Sequence, residues 1–71
     1  MPGFAITTTL GDTYREGQRA DAVPLLAALG AGTETLDRFD HEADYVVLHF
    51  GDYTISIPES RIDQIAERSK A

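Results

Sequence analysis

Phe4, Ile6, Thr8 and Leu10 fall on one phase of a two-residue period, with Ala5, Thr7 and Thr9 between them. This alternation predicts a half-buried strand over residues 3–10, and the run of three threonines adds β-propensity. Gly11–Asp12 reads as a turn, or else Tyr14 continues the ribbon beyond a kink, and Gly17 ends the section. Residues 21–29, DAVPLLAAL, read as a short helix. Asp21 is placed to cap it, and Pro24 is tolerable in the first turn, where N–H groups have no intrahelical partner. Val23, Leu26 and Ala27 share its apolar face, with Leu25 and Leu29 beside it, and Gly30 is its stop.

Residues 33–40 are ambiguous. Thr35, Leu36 and Phe39 fit a strand with a bulge, while Leu36 and Phe39 also fit one face of a helical turn. The strand is preferred, paired with the next segment across a turn at residues 41–43. Residues 45–50, YVVLHF, predict a strand with Tyr45, Val47 and His49 on one side and Val46, Leu48 and Phe50 on the other. Apolar residues on both sides point to a central strand or one at an interface. Gly51–Asp52 suits a type II′ hairpin turn, and Tyr53, Ile55 and Ile57 alternate with Thr54 and Ser56 in the returning strand. Pro58 stops it. Ser60 and Asp63 then resemble a capping box, and Ile62, Ile65 and Ala66 make the stripe of a helix over 61–69. Arg68 and Lys70 suit its C-terminal end.

The order is strand, helix, strand, hairpin strand, helix, with no internal repeat, linker or low-complexity tract. It predicts one small α+β domain over residues 1–71. The simplest arrangement has two layers: a three- or four-stranded, mainly antiparallel sheet and two short helices on one face.

Length changes the energetic picture. A chain of 71 residues buries only about 60% of its potential surface. It contains no cysteine, so disulfides and thiolate metal sites are excluded. A homodimer is therefore expected to supply further burial. No apolar run reaches the length of a membrane span, and MPGFAITTTLG lacks the basic region of a signal peptide. The expectation is a cytoplasmic protein with no membrane association.

Twelve acidic residues against six basic ones leave a formal charge of −6. That balance argues against direct nucleic-acid binding. The charge is concentrated: Glu34, Asp37, Asp40, Glu42 and Asp44 face a single base, Arg38, within residues 33–44. Such a segment reads as a solvated turn, as a surface for a basic protein, or as a cation site made by Asp37, Asp40, His41, Glu42 and Asp44. It lacks the glycine and terminal glutamate of an EF-hand. His41 and His49 could in principle share a transition metal with Asp40 or Asp44. The serines have no nucleophile-elbow context and the glycines form no phosphate loop, so no cofactor is expected.

The leading expectation is a non-enzymatic adaptor, inhibitor or antitoxin-like regulator that binds a protein with a basic surface. Asp37, Asp40, Glu42 and Asp44 would steer and pair, and Tyr45 and Tyr53 would supply desolvated area. The alternatives are a nucleic-acid mimic occupying a basic groove and a small metal-dependent enzyme with a site shared between subunits.

Overall fold

The computed structural model describes residues 3–68. Among the described residues the domain is α+β, with two three-stranded antiparallel sheets, one short helix and two 3-10 turns. Strand β1 (Phe4–Thr8) lies between β2 (Thr13–Arg15) and β6 (Ile62–Glu67). Strands β3 (Leu36–Glu42), β4 (Tyr45–Phe50) and β5 (Tyr53–Pro58) form a meander with β4 in the centre. Helix α1 (Pro24–Ala28) follows a 3-10 turn at Ala20–Ala22, and a second 3-10 turn at Glu59–Arg61 leads from β5 into β6.

Each sheet buries alternate residues against the other. Ile6 enters from β1, Leu36 from β3, Val46, Leu48 and Phe50 from β4, and Ile57 from β5. Val23, Leu26 and Ala31 join this same core from the helical segment. The central position of β4 explains its apolar residues on both faces. Val47, on the other face, is still only 9% exposed, because a middle strand is flanked by side chains on both sides. The segment that follows β2 is also stitched through the backbone to the start of β3. Gly17 N–H donates to Leu36 C=O (2.8 Å), Leu36 N–H to Gln18 C=O (2.9 Å) and Ala20 N–H to Glu34 C=O (2.7 Å). Phe4 and Phe39 meet edge to face, with centroids 4.8 Å apart.

Helix α1 is shorter than its sequence pattern and is entered differently. Asp21 sits inside the preceding 3-10 turn, where its carboxylate pairs with Arg19 at 2.8 Å. The capping position belongs to Val23, which has no side-chain cap. Pro24 occupies the first turn as expected, and Gly30, at φ 80°, supplies the left-handed residue beyond the helix. Leu26 is buried, whereas Leu25 and Leu29 are exposed.

The second expected helix is a correction. Residues 62–67 form β6, and Ser60 belongs to the 3-10 turn instead of capping a helix. Ser69 and Lys70 lie outside the described residues. Strand β6 pairs Ile65 with Ile6 and Ile62 with Thr8, and the register shifts between Thr7 and Thr8. Asp63 is thus an extra residue. The bulge turns Ile62 and Ile65 to the same face, which a regular strand would not do for positions three apart. The pairing satisfies the second edge of β1, whose N–H and C=O groups a helix would leave unpaired. Residues 33–40 resolve in the same sense: β3 is a strand with a bulge between Leu36 and Arg38.

Candidate binding surface

Hairpin registry decides which polar groups meet. Across β3 and β4, Arg38 lies opposite His49, Asp40 opposite Val47 and Glu42 opposite Tyr45. These residues alternate with the buried Leu48 and Val46, so they share the face turned away from the core. On β5 the same face carries Thr54, Ser56 and Pro58, all exposed.

Asp40 is the polar centre of this face. One carboxylate oxygen, Oδ2, accepts from Arg38 Nη1 at 2.6 Å and lies 2.9 Å from His49 Nε2. An ionised carboxylate only accepts, so His49 Nε2 carries the proton in this pair. Arg38 and Asp40 are two apart on a strand and therefore on one face, while His49 reaches Asp40 along the cross-strand diagonal. Arg38 and Asp40 are both well exposed, so the network orients its groups more than it stabilises the fold.

Five of the six candidate residues run along β3, its turn and the first residue of β4. Asp37 is the extra residue of the β3 bulge and is exposed. Asp40 and Glu42 follow on the outer face. Asp44 is exposed in the turn, and its carbonyl accepts from Glu59 N–H at 2.7 Å. Tyr45 is 47% exposed and borders a shallow recess with Asp44, Pro58, Glu59 and Ser60. Tyr53 is separated from them. It pairs with Phe50 and packs half-buried against the core on the opposite face. Glu34, the first acid of the segment, lies with its carboxylate against Gly51, away from this row.

Alternation also separates the two histidines. His41 lies opposite Val46, on the Phe39 phase, and its ring meets Phe39 edge to face at 6.0 Å. His49 is on the outer face, so the two do not converge on one ion. Among the described residues, no three histidine or carboxylate groups gather as a metal-holding set. No helix in the described residues is long and apolar enough to cross a membrane.

A second surface was not legible from the chain pattern. Leu10, assigned to the core phase of the first strand, is 75% exposed, and Leu25 is 73% exposed. Two adjoining recesses beside β5 share Asp12, Tyr14, Leu25 and Ile55 in their walls. Burial, and then the neighbouring Asp12 carboxylate, push the Tyr14 phenol above its ordinary pKa. The Leu10 signal failed because β1 ends at Thr8 and the chain turns there, with Thr8 N–H donating to Asp12 C=O at 2.9 Å.

Comparison with protein-family models, curated proteins and solved structures gives no match to this chain.

Proposed function

We propose that the chain is a non-enzymatic protein-binding adaptor, inhibitor or antitoxin-like regulator that works as a homodimer and receives a basic protein surface on its acidic face. The observation that supports this reading is the common placement of Asp40, Glu42 and the half-exposed Tyr45 on one sheet face. Asp44 at the turn and Asp37 in the bulge extend the row. An aromatic anchor beside several carboxylates suits a partner surface rich in arginine, since the ring supplies contact area and the acids supply orientation. The rigid hairpin beneath holds the row in place without ordering a loop, which reduces the entropy lost on binding.

The test is a quantitative pull-down comparing wild type with a quadruple variant, Asp37→Asn, Asp40→Asn, Glu42→Gln and Asp44→Asn, at low and high salt. Retained partners should be basic, should weaken with salt, and should fall at least about tenfold with the variant. An unchanged partner set with unchanged salt response overturns the acidic-face reading. Circular dichroism of the variant verifies that the hairpin is intact.

A further inference from the structure

Among the described residues, β2, β3, β5 and β6 lie at sheet edges. Strand β2 carries Arg15, β3 carries Asp37, Arg38, Asp40 and Glu42, and β6 carries Asp63 and Glu67. Strand β5, YTISIP, carries no charge. Charged side chains hinder the pairing of an edge strand with another chain. Strand β5 lacks that guard and has only its terminal proline.

The hydrogen-bonding direction of β5 follows from its hairpin. Phe50 and Tyr53 close a two-residue turn, so their backbones bond to each other and the next pair does not. Alternation then turns the N–H and C=O groups of Thr54 and Ser56 away from β4, on the side where no further described strand lies. A groove runs along that side. One wall is residues 55–58 of β5, and the other includes Leu10, Asp12, Tyr14 and Leu25. Consecutive strand residues send their side chains to opposite faces, so a groove touching four in a row follows the edge itself. Its walls are apolar where Leu10 and Leu25 stand exposed. Outward donors and acceptors at every second residue are matched by an extended backbone, since a helix has already used its own.

We propose that this groove receives an extended peptide in which apolar residues alternate with lysine or arginine, and which adds to β5 as a further strand. Charge selects the occupant. Asp52 precedes β5, Glu59 follows it, and Asp12 stands in the facing wall. All three are exposed, and none is in an ion pair among the described residues. Arg61 is the single base in the walls, so three carboxylates border the groove against one guanidinium. A second copy of the chain suits this edge poorly. In either direction of pairing it sets Asp52 or Glu59 beside a like charge at the strand ends, on chains of formal charge −6. A basic strand meets the same carboxylates with opposite charge. Alternation sorts its side chains: the apolar ones fall on the core side, against Tyr14, Leu25 and Ile55, and the basic ones lie over Thr54 and Ser56, with an acid at each end of β5. This surface is separate from the acidic row, which lies on β3 at the opposite edge of the sheet, and the proposal does not depend on that row.

The probe is a six-residue peptide, the length of β5, alternating valine with lysine and capped at both ends. It is titrated into the isotope-labelled chain and followed by amide NMR. The largest shifts should fall at Thr54 and Ser56 and saturate between about 10 µM and about 1 mM. A valine–glutamate peptide should bind at least about tenfold more weakly. N-methylation of every second amide should abolish binding in one phase and spare it in the other, because only one set of donors faces β5. Asp12→Asn, Asp52→Asn and Glu59→Gln together should weaken the lysine peptide at least about fivefold, with unchanged circular dichroism. Neutralising Asp37, Asp40, Glu42 and Asp44 should leave it within about twofold, since screening confines their reach. No shift with saturating peptide, equal binding of the glutamate peptide, or indifference to methylation in both phases overturns the proposal. Shifts confined to β3 overturn it and favour the acidic row. Shifts at Thr54 and Ser56 that grow with protein concentration alone assign the edge to a second copy and overturn it too. Loss of a basic partner in the pull-down by the acidic-row variant, with peptide binding at β5 intact, separates the two surfaces.

Discussion

Strands β3 and β6 contain the same four-residue pattern, Leu36-Asp37-Arg38-Phe39 in one and Ile62-Asp63-Gln64-Ile65 in the other. In both, two apolar residues three positions apart enclose an aspartate that forms the extra residue of a β-bulge. In both, the bulge brings the apolar pair to the core side. A three-residue apolar spacing is usually credited to a helix, yet one inserted residue converts a period of two into the same spacing. The strands differ in depth and in approach. Leu36 is 1% exposed, whereas Ile62 and Ile65 are partly buried. Strand β3 runs into a tight hairpin, while β6 follows Pro58, Glu59, Ser60 and Arg61, which imitate a helix start.

The difference in depth should give the largest effect. Leu36→Ala should lose about 3 kcal/mol and Ile65→Ala about half that, because only the first empties a fully buried site. Urea denaturation of the two variants measures it, and equal losses would break the distinction between a core strand and a covering strand.

Removing a bulge residue tests the shared geometry. Deleting Asp63 should turn Ile62 outward and cost about 1.5 kcal/mol, close to the burial it loses. Asp63→Ala keeps the extra residue and should change stability by no more than about 0.5 kcal/mol. If deletion is as mild as substitution in thermal or urea unfolding, the bulge is not what sets the phase of β6.

The turn after β3 offers a smaller gain. Ala43 sits at φ 54°, whereas Gly51 occupies the corresponding first position of the next hairpin at φ 61°. A left-handed conformation strains alanine and suits glycine. Ala43→Gly should therefore stabilise the β3–β4 hairpin by up to about 1 kcal/mol, read by the same denaturation assay. No equivalent gain is available at the entry to β6, which is a 3-10 turn without a positive φ.

The smallest effect distinguishes the two sheets by pH. Tyr14, on β2, has a raised pKa through burial and then Asp12. Its neutral form is favoured in the folded state, so this contribution is complete below the unfolded tyrosine pKa. It is lost as pH rises from about 10 through the folded value. Tyr14→Phe should flatten that alkaline decline in melting temperature. A decline of unchanged steepness would place its origin elsewhere.

Much of the β3–β4–β5 sheet was legible in the chain. YVVLHF marked the central strand, Gly51–Asp52 its turn, and alternation marked β5. Leu36 and Phe39 allowed the bulged strand, and the acid-rich segment was visible from charge alone. The division of the candidate residues was less accessible. Tyr45 and Tyr53 differ in face because the two-residue turn pairs Phe50 with Tyr53, and the Asp40–His49 contact exists only in that register. Five candidates form a row, while Tyr53 belongs to the core boundary.

The sequence by itself determined the α+β class, the β1, β4 and β5 segments, the hairpin and the concentration of charge, because each depends on neighbours within a few residues. Tertiary structure decided that Ile62–Glu67 is a strand, that the sheets number two, and that Leu10 and Leu25 face outward. The reason is the unpaired side of β1. Its backbone groups need a partner from the far end of the chain, and that long-range demand outweighs the local helix-like spacing of Ile62 and Ile65.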